Sequence, residues 1–314
     1  MAGLLGELGK KLADRWLSLL VLPGALYLAV WMAGTILGQA HALDLGLLTR
    51  HITVSIKAPT ATTAGGQVVL LASVLAGAAV IGLTAQALGS LVERAFLAAD
   101  WRGLPSPLRL LVRRRVARRR DRWTDARMTY REDRDRAARA YVRHQHLDPA
   151  QRYAAYRKMT RIAVELPDRP TWSGDRMNSV ALRLDRDLHL DLASLWPPLW
   201  LQLPDSTRNA ITDARNGLAR ASALAGWAAL YAPLVLWWWP AAVISTVLTA
   251  IAWQRIRVSV EAFALTVEAA VRLYAAELAR ALGVKGDGPF TPEDGDALTR
   301  YLHSDNPRAS PEEH

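Results

Sequence analysis

The chain alternates between long apolar runs and stretches where arginine recurs every second or third position. A soluble domain mixes the two classes at short period, whereas a membrane protein segregates them. The first apolar run, Trp16 to Leu37, carries no charge and is long enough for the roughly 20 residues that cross a bilayer. Ala40-His41-Ala42 after it resembles a signal-peptide cleavage site, but the apolar core of a signal peptide is only about 7–15 residues. The second run is Gln67 to Val92, in which Ala78, Gly82, Ala85 and Gly89 put small side chains on one helical stripe. The third block, Ala221 to Trp253, is too long for one span and breaks at Trp237-Trp238-Trp239-Pro240. This predicts a hairpin of helices at about 221–239 and 240–257, with Pro233 kinking the first and Pro240 opening the second. A re-entrant hairpin that does not cross fits the same residues.

The polar segments also read as helices. Leu108 to Val142 forms one long charged helix and Ala150 to about Leu166 a second, giving a helical hairpin. Val258 to Leu282 continues the fourth span as an amphipathic helix whose apolar stripe must meet the second cytoplasmic helix, another subunit or the membrane. The fold class predicted is all-α: an integral membrane protein with four transmembrane helices around a central cytoplasmic helical domain. Its parts are a cytoplasmic segment 1–15, spans one and two within 16–92 with an outer loop at about 38–66, a basic domain 93–220, a transmembrane hairpin 221–257, an amphipathic helix 258–283 and a mobile polar tail 284–314. A short helix could begin in that tail at Thr291-Pro292-Glu293.

Charge sets the orientation. Of 39 basic residues, 27 lie between Arg94 and Arg220, whereas the 38–66 loop offers only Arg50 and Lys57. The positive-inside rule then puts both termini and the central domain on the cytoplasmic side of the plasma membrane. Trp237, Trp238 and Trp239 sit at the far interface as indole anchors. Arg109, Arg113, Arg114, Arg115, Arg118, Arg119 and Arg120 follow the second span closely, where an anionic inner leaflet attracts cations. Nucleic acid is the competing partner and a solvated face the bland alternative, with Asp121, Asp125 and Glu132 interleaved; no RNA-binding or helix-turn-helix signature favours nucleic acid. The near-exclusive use of Arg over Lys reads as a GC-rich bacterial genome. The absence of cysteine excludes disulfides, thiolate metal sites and Cys nucleophiles.

Two short elements stand out. The first holds Pro170, Thr171, Gly174 and Asp175; the second holds Trp196, Pro197, Leu199, Trp200, Leu203 and Pro204. Over about 165–260 the chain resembles an uncharacterised family of multi-pass bacterial membrane proteins. That family carries P-T-x-x-G-[ND], then W-P-[RP]-L-W-x-x-L-P, then a polar helix and a hydrophobic hairpin. Pro198 stands here where an Arg is usual and Asp175 where Asn is usual, and the tyrosine-rich stretch between the elements is missing. The resemblance implies a membrane protein and supplies no catalytic residues. On physical grounds Gly174 would give a positive φ at a turn and Asp175 would cap the next helix. Trp196 and Trp200 would share one face of a short interfacial helix, and Asp205 would cap the helix after Pro204. A ligand pocket between the elements is the functional alternative.

Candidate chemistry is sparse. Asp185, Asp187, His189 and Asp191 alternate as a cation-binding strand would, and His144, His146 and Asp148 form a second weak cluster. No phosphate loop, dinucleotide fingerprint, nucleophile elbow or HExxH is present. The spans hold no internal charge, which argues against an ion-coupled transporter. The expectation is a non-enzymatic protein without cofactor or metal, oligomeric or bound to protein partners, that scaffolds or relays a signal at the inner membrane face. A channel assembled from several copies is the alternative, and an enzyme acting on lipid a distant third.

Overall fold

The computed structural model describes residues 21–56, 63–97, 101–103, 105–145, 148–284, 286 and 288–304. Among these residues the fold is all helix, with no strand. The helices are α1 (Leu22–Leu37), α2 (Leu45–Ile56), α3 (Ala64–Leu97), α4 (Ser106–Val142), α5 (Pro149–Ile162), α6 (Trp172–Leu188), α7 (Leu192–Gln202), α8 (Asp205–Tyr231), α9 (Pro240–Ala281) and α10 (Pro292–Ser304). They form two compact units: an apolar unit, Met1–Glu93 with Ala219–Arg255, and an arginine-rich unit, Arg94–Leu218 with Ile256–His314.

In the apolar unit, α3 and the segment Asp205–Leu236 are long and apolar enough to cross a membrane. The 16-residue α1 is shorter, and Trp16 to Leu20 lie outside the described residues. The apolar start of α9, 240–253, reaches about 21 Å at 1.5 Å per residue before Gln254 and Arg255, against roughly 30 Å of hydrocarbon. The small-residue stripe of α3 is where the unit closes. Ala78, Gly82, Ala85 and Gly89 are its buried residues. Gly24 of α1 faces the Ala78 backbone, Gly89 faces Ser222 and Ala223, and Gly226 of α8 faces Ala85 and Gly89. Tyr27 donates to the Leu230 carbonyl at 3.2 Å and meets the Tyr231 ring edge-on at 5.1 Å.

The hairpin turn differs from its sequence reading. The third helix ends at Tyr231, and Ala232–Leu236 tightens into a 3-10 turn. Pro233 has no N–H for the carbonyl four residues back, which removes one helical hydrogen bond at the point where the α-helix gives way to the 3-10 turn. The three tryptophans also divide. Trp237 and Trp239 are exposed, but Trp238 packs on Gly34 and donates its indole N–H to the Ala42 carbonyl at 2.9 Å. Gln39 completes the turn: its amide N–H₂ donates to Val235 O at 2.8 Å and its Oε1 accepts from Trp239 N at 3.1 Å. The predicted outer loop is in part helix, since α2 occupies 45–56.

The core of the arginine-rich unit joins α6, α7, the second half of α9 and α10. Val180, Leu184, Leu195, Leu199, Val271 and Leu298 are fully buried there. The amphipathic stripe of 258–282 therefore meets α6, α7 and α10, which the sequence did not single out as its partners. Charge pairs fix the register of α6 on α9. Arg176 pairs with Glu261, Arg183 with Glu268 and Asp187 with Arg272, all at a constant offset of 85 residues. A constant offset means the two helices run parallel, and steps of seven and four keep the pairs on one seam.

Two further readings are corrected. The predicted mobile tail contains α10, whose Leu298 is in the core and whose Thr299 hydroxyl donates to His189 O at 3.0 Å; only 305–314 lie outside the described residues. The alternating acidic strand does not form. Asp185 and Asp187 are in α6, His189 takes a left-handed φ of 51° to end it, and Asp191 caps α7 through Ser194 N and Ala193 N. The hydrogen bond from Arg272 holds the Asp187 carboxyl below the ordinary aspartate value of about 3.9. A lowered value adds stability above the unfolded pKa that disappears as pH falls through the folded one. The thermal midpoint should therefore drop on acidification below about pH 4. Asp187→Asn should flatten that acid slope; an unchanged slope would exclude Asp187 as a contributor.

Candidate functional site

The α4–α5 hairpin has its own small core of Trp123, Ala126, Met159 and Ala163, with Tyr130 and Ile162 against it. Asp148 caps α5 by accepting from Ala150 N at 2.8 Å. Within 106–162 there are eighteen basic and six acidic residues, a net +12 against +10 for the whole chain. All the net positive charge of the protein is thus on this hairpin.

Its arginines divide into those with protein acceptors and those without. Arg115 Nε donates to Pro170 O at 2.9 Å, and Arg119 donates to Ile162 O at 2.8 Å and to Asp175 at 2.6 Å. Arg120 donates to Pro167 O at 2.7 Å and to Asp168 at 2.6 Å, and the Trp123 indole donates to Ala163 O at 2.9 Å. These four residues fall on neighbouring helical positions and fasten the 162–171 loop to α4. Guanidinium groups suit the task because their rigid fork reaches several acceptors at once. Arg115, Arg119 and Arg120, expected at lipid, therefore take protein acceptors. Arg109, Arg113, Arg114 and Arg118 remain exposed.

The first sequence element sits where this loop enters α6. Thr171 is the N-cap: its Oγ1 accepts from Gly174 N at 3.0 Å, and its hydroxyl donates to the Phe96 carbonyl. Arg169 donates to Leu97 O at 3.3 Å. The last carbonyls of α3, which lack helical partners, are satisfied in this way. Gly174 has an ordinary helical backbone, not a positive φ; what it supplies is space, because a Cβ there would lie 2.5 Å from Leu97 O. Asp175 is not the cap. Its Oδ1 accepts from Asp168 N at 2.9 Å and Arg169 N at 2.7 Å, and its Oδ2 pairs with Arg119. Burial raises its pKa, outweighing the lowering by those two backbone N–H groups and by Arg119.

The second element is α7. Trp196 and Trp200 share a face as predicted, with ring centroids 5.8 Å apart, but both pack on the protein core through the Leu195–Leu199–Leu203 side. Pro197 and Pro198 lie within the helix. Pro204 precedes α8, and Asp205 lies in its first turn, where it pairs with Arg208. No protein-family model, curated protein or solved structure matches this chain. What the two elements do is therefore read from their own geometry, and that geometry is mechanical. One joins the end of α3 to α4 and α6; the other fills the core beneath α9.

The remaining charged groups are also tied to one another. Buried Arg176 makes a two-pronged pair with Glu261, at 2.8 and 2.9 Å. Arg257 lies 4.3 Å from the centre of the Trp172 ring, whose indole donates to Thr160 O at 3.3 Å. A cavity of about 840 Å³ opens at the hairpin tip among Arg136, Tyr141, His144, Asp148 and Arg152. His144 takes a left-handed turn conformation with φ 55°, and His146 is outside the described residues. No group of three His, Cys, Asp or Glu side chains with metal-holding geometry occurs among the described residues.

Proposed function

We propose that the protein is a multi-pass plasma-membrane scaffold or signal-relay component without catalytic activity. In this reading four helices cross the bilayer, both termini are cytoplasmic, and the arginine-rich unit faces the cytoplasm. The observation that carries it is the division of the hairpin arginines. Arg115, Arg119 and Arg120 brace the module internally, while Arg114 and Arg118 stand exposed on the far side of α4, open to a partner. A braced module with one free, highly charged face suits docking better than bond-making, which needs convergent acid and base groups in a cleft. The exposed apolar surface of α3 supports the membrane assignment. Val68, Val69, Leu70, Leu71 and Leu83 all lie open on one long helix, and so much apolar surface calls for a lipid surround. The likeness of 165–260 to multi-pass bacterial membrane proteins supports the same reading.

The partners proposed are anionic lipid of the inner leaflet and further protein chains, either copies of this one or others. A channel built from several copies has less support. The small residues that would let helices of neighbouring copies approach are already buried within one chain. The test is reconstitution of the full chain into vesicles loaded with an ion-sensitive dye. Vesicles should stay tight, and proteins cross-linked to the full chain in membranes should be lost when the 108–166 hairpin is deleted. Ion leak proportional to the amount of protein would overturn the scaffold reading in favour of a pore.

A further inference from the structure

We propose that the first three turns of α4, Leu108 to Arg118, form an interfacial contact for an anionic bilayer surface, with Leu110 and Leu111 entering the headgroup boundary and Arg114 and Arg118 holding lipid phosphates. The proposal rests on the membrane assignment above and goes further by naming the face and its ligand. Leu110 and Leu111 are 52% and 62% exposed, on a helix that buries Val116 and Trp123. At about 100° per residue, Leu110, Arg114, Arg118 and Leu111 share the side opposite Val116 and Trp123. The protein therefore packs one side of α4 and leaves the other with leucines at its start and arginines directly after.

That order fits a lipid surface. An interfacial helix buries a shallow apolar face and flanks it with Lys or Arg, whose aliphatic stems lie along the apolar surface while the charged heads reach phosphate. On this side Arg114 and Arg118 are exposed, with no carboxylate paired to them among the described residues, so both cations are free for that purpose. Arg115, Arg119 and Arg120 are excluded by their bonds to the 162–175 loop. An acidic protein segment would satisfy the arginines and leave the two leucines in water. A bilayer satisfies both. Residue 108 also follows shortly after the end of α3 at Leu97, where a basic juxtamembrane segment meets the surface potential of the inner leaflet.

The absence of cysteine makes the test direct. The full chain carrying Leu110→Cys is labelled with an environment-sensitive NBD fluorophore and placed in nanodiscs, which leave both lipid faces open. One set is phosphatidylcholine alone; the other contains one third phosphatidylglycerol. Met128→Cys, on an exposed stretch of the same helix, is the reference label. The expected result is a blue shift and gain in emission at position 110 in anionic discs only. It should be reversed by about 1 M salt, where the screening length falls to roughly 3 Å. It should also be lost when Arg114 and Arg118 are both changed to Gln. An unchanged thermal midpoint in that variant shows that the fold is intact. Emission at 110 that is the same in both lipids overturns the proposal. So does a shift produced in neutral discs by added RNA or an acidic peptide. Vesicle tightness is read separately, so a failed lipid contact leaves the scaffold reading standing, and a leaking vesicle leaves the lipid contact standing.

Discussion

Changing Gly226 to valine is expected to unfold the apolar unit, seen as loss of monodisperse protein on size exclusion in detergent and a collapse of the thermal midpoint. A Cβ at 226 would lie on the Ala85 carbonyl oxygen and 2.7 Å from Gly89 N. Both are backbone atoms of a regular helix, so neither can swing aside as a side-chain tip would. At Gly89 the neighbours are Ala223 Cα at 2.9 Å and Ser222 O at 3.0 Å, again backbone. Helices in lipid associate chiefly by close packing, so forcing α3 and α8 apart removes most of what joins them. Overpacking of this kind typically costs about 1–3 kcal/mol, and the upper end applies because the β-branched side chain adds two more methyl groups. Gly89→Val should have a similar effect, and the double variant less than the sum, because both act on one crossing. Gly65, with open space around its Cβ position, provides the contrast: Gly65→Ala should be neutral or stabilising by up to about 1 kcal/mol through helix propensity. Equal stability of Gly226→Val and the parent would mean that α3 and α8 do not cross at these glycines.

The second large effect is at Asp175. Asp175→Ala should destabilise the arginine-rich unit by about 3 kcal/mol or more, measured as a shift of the unfolding transition with protease sensitivity appearing at 163–171. The change removes the acceptor for Asp168 N and Arg169 N and leaves Arg119 without its carboxylate. Breaking one side of a buried charge pair is costly because the partner stays buried. Asp175→Asn should lose less, about 1–2 kcal/mol, since its Oδ1 still accepts the two backbone bonds while its amide cannot pair with Arg119. Burial disfavours the charge on Asp175, as its raised pKa indicates, so acceptor geometry contributes more to this residue than charge. Equal losses for Ala and Asn would reverse that order and make the ion pair dominant.

The elements themselves were largely legible. The charged helix predicted at 108–142 occupies Ser106–Val142, and the second, expected from Ala150, occupies Pro149–Ile162. Pro240 begins a helix, as its fixed φ and missing N–H favour. What the sequence could not show was which side chains would meet. A run of arginines gives no sign of which members point inward, because that depends on where a loop dozens of residues later returns. Pro167 O, Pro170 O and Asp175 are the acceptors that select Arg120, Arg115 and Arg119. The residue types at 174 and 175 suggest a positive φ for the glycine and a helix cap for the aspartate, and the structure shows neither. Thr171 does the capping expected of Asp175, and Gly174 makes room for Leu97 in place of a turn.

The sequence alone determined that this chain is helical, that its apolar and arginine-rich material is segregated, and where prolines such as Pro149 and Pro240 open helices. Those properties follow from nearest-neighbour chemistry: hydrophobic period, proline geometry and the run length of uncharged residues. Tertiary structure alone decided that the small-residue stripe of α3 is used within one chain, that the supposed tail supplies Leu298 to the core, and that half of the arginine cluster holds a loop while the rest stays open. Each of these depends on long-range contact, where a residue's role is set by the atom opposite it, and local pattern carries no information about that atom.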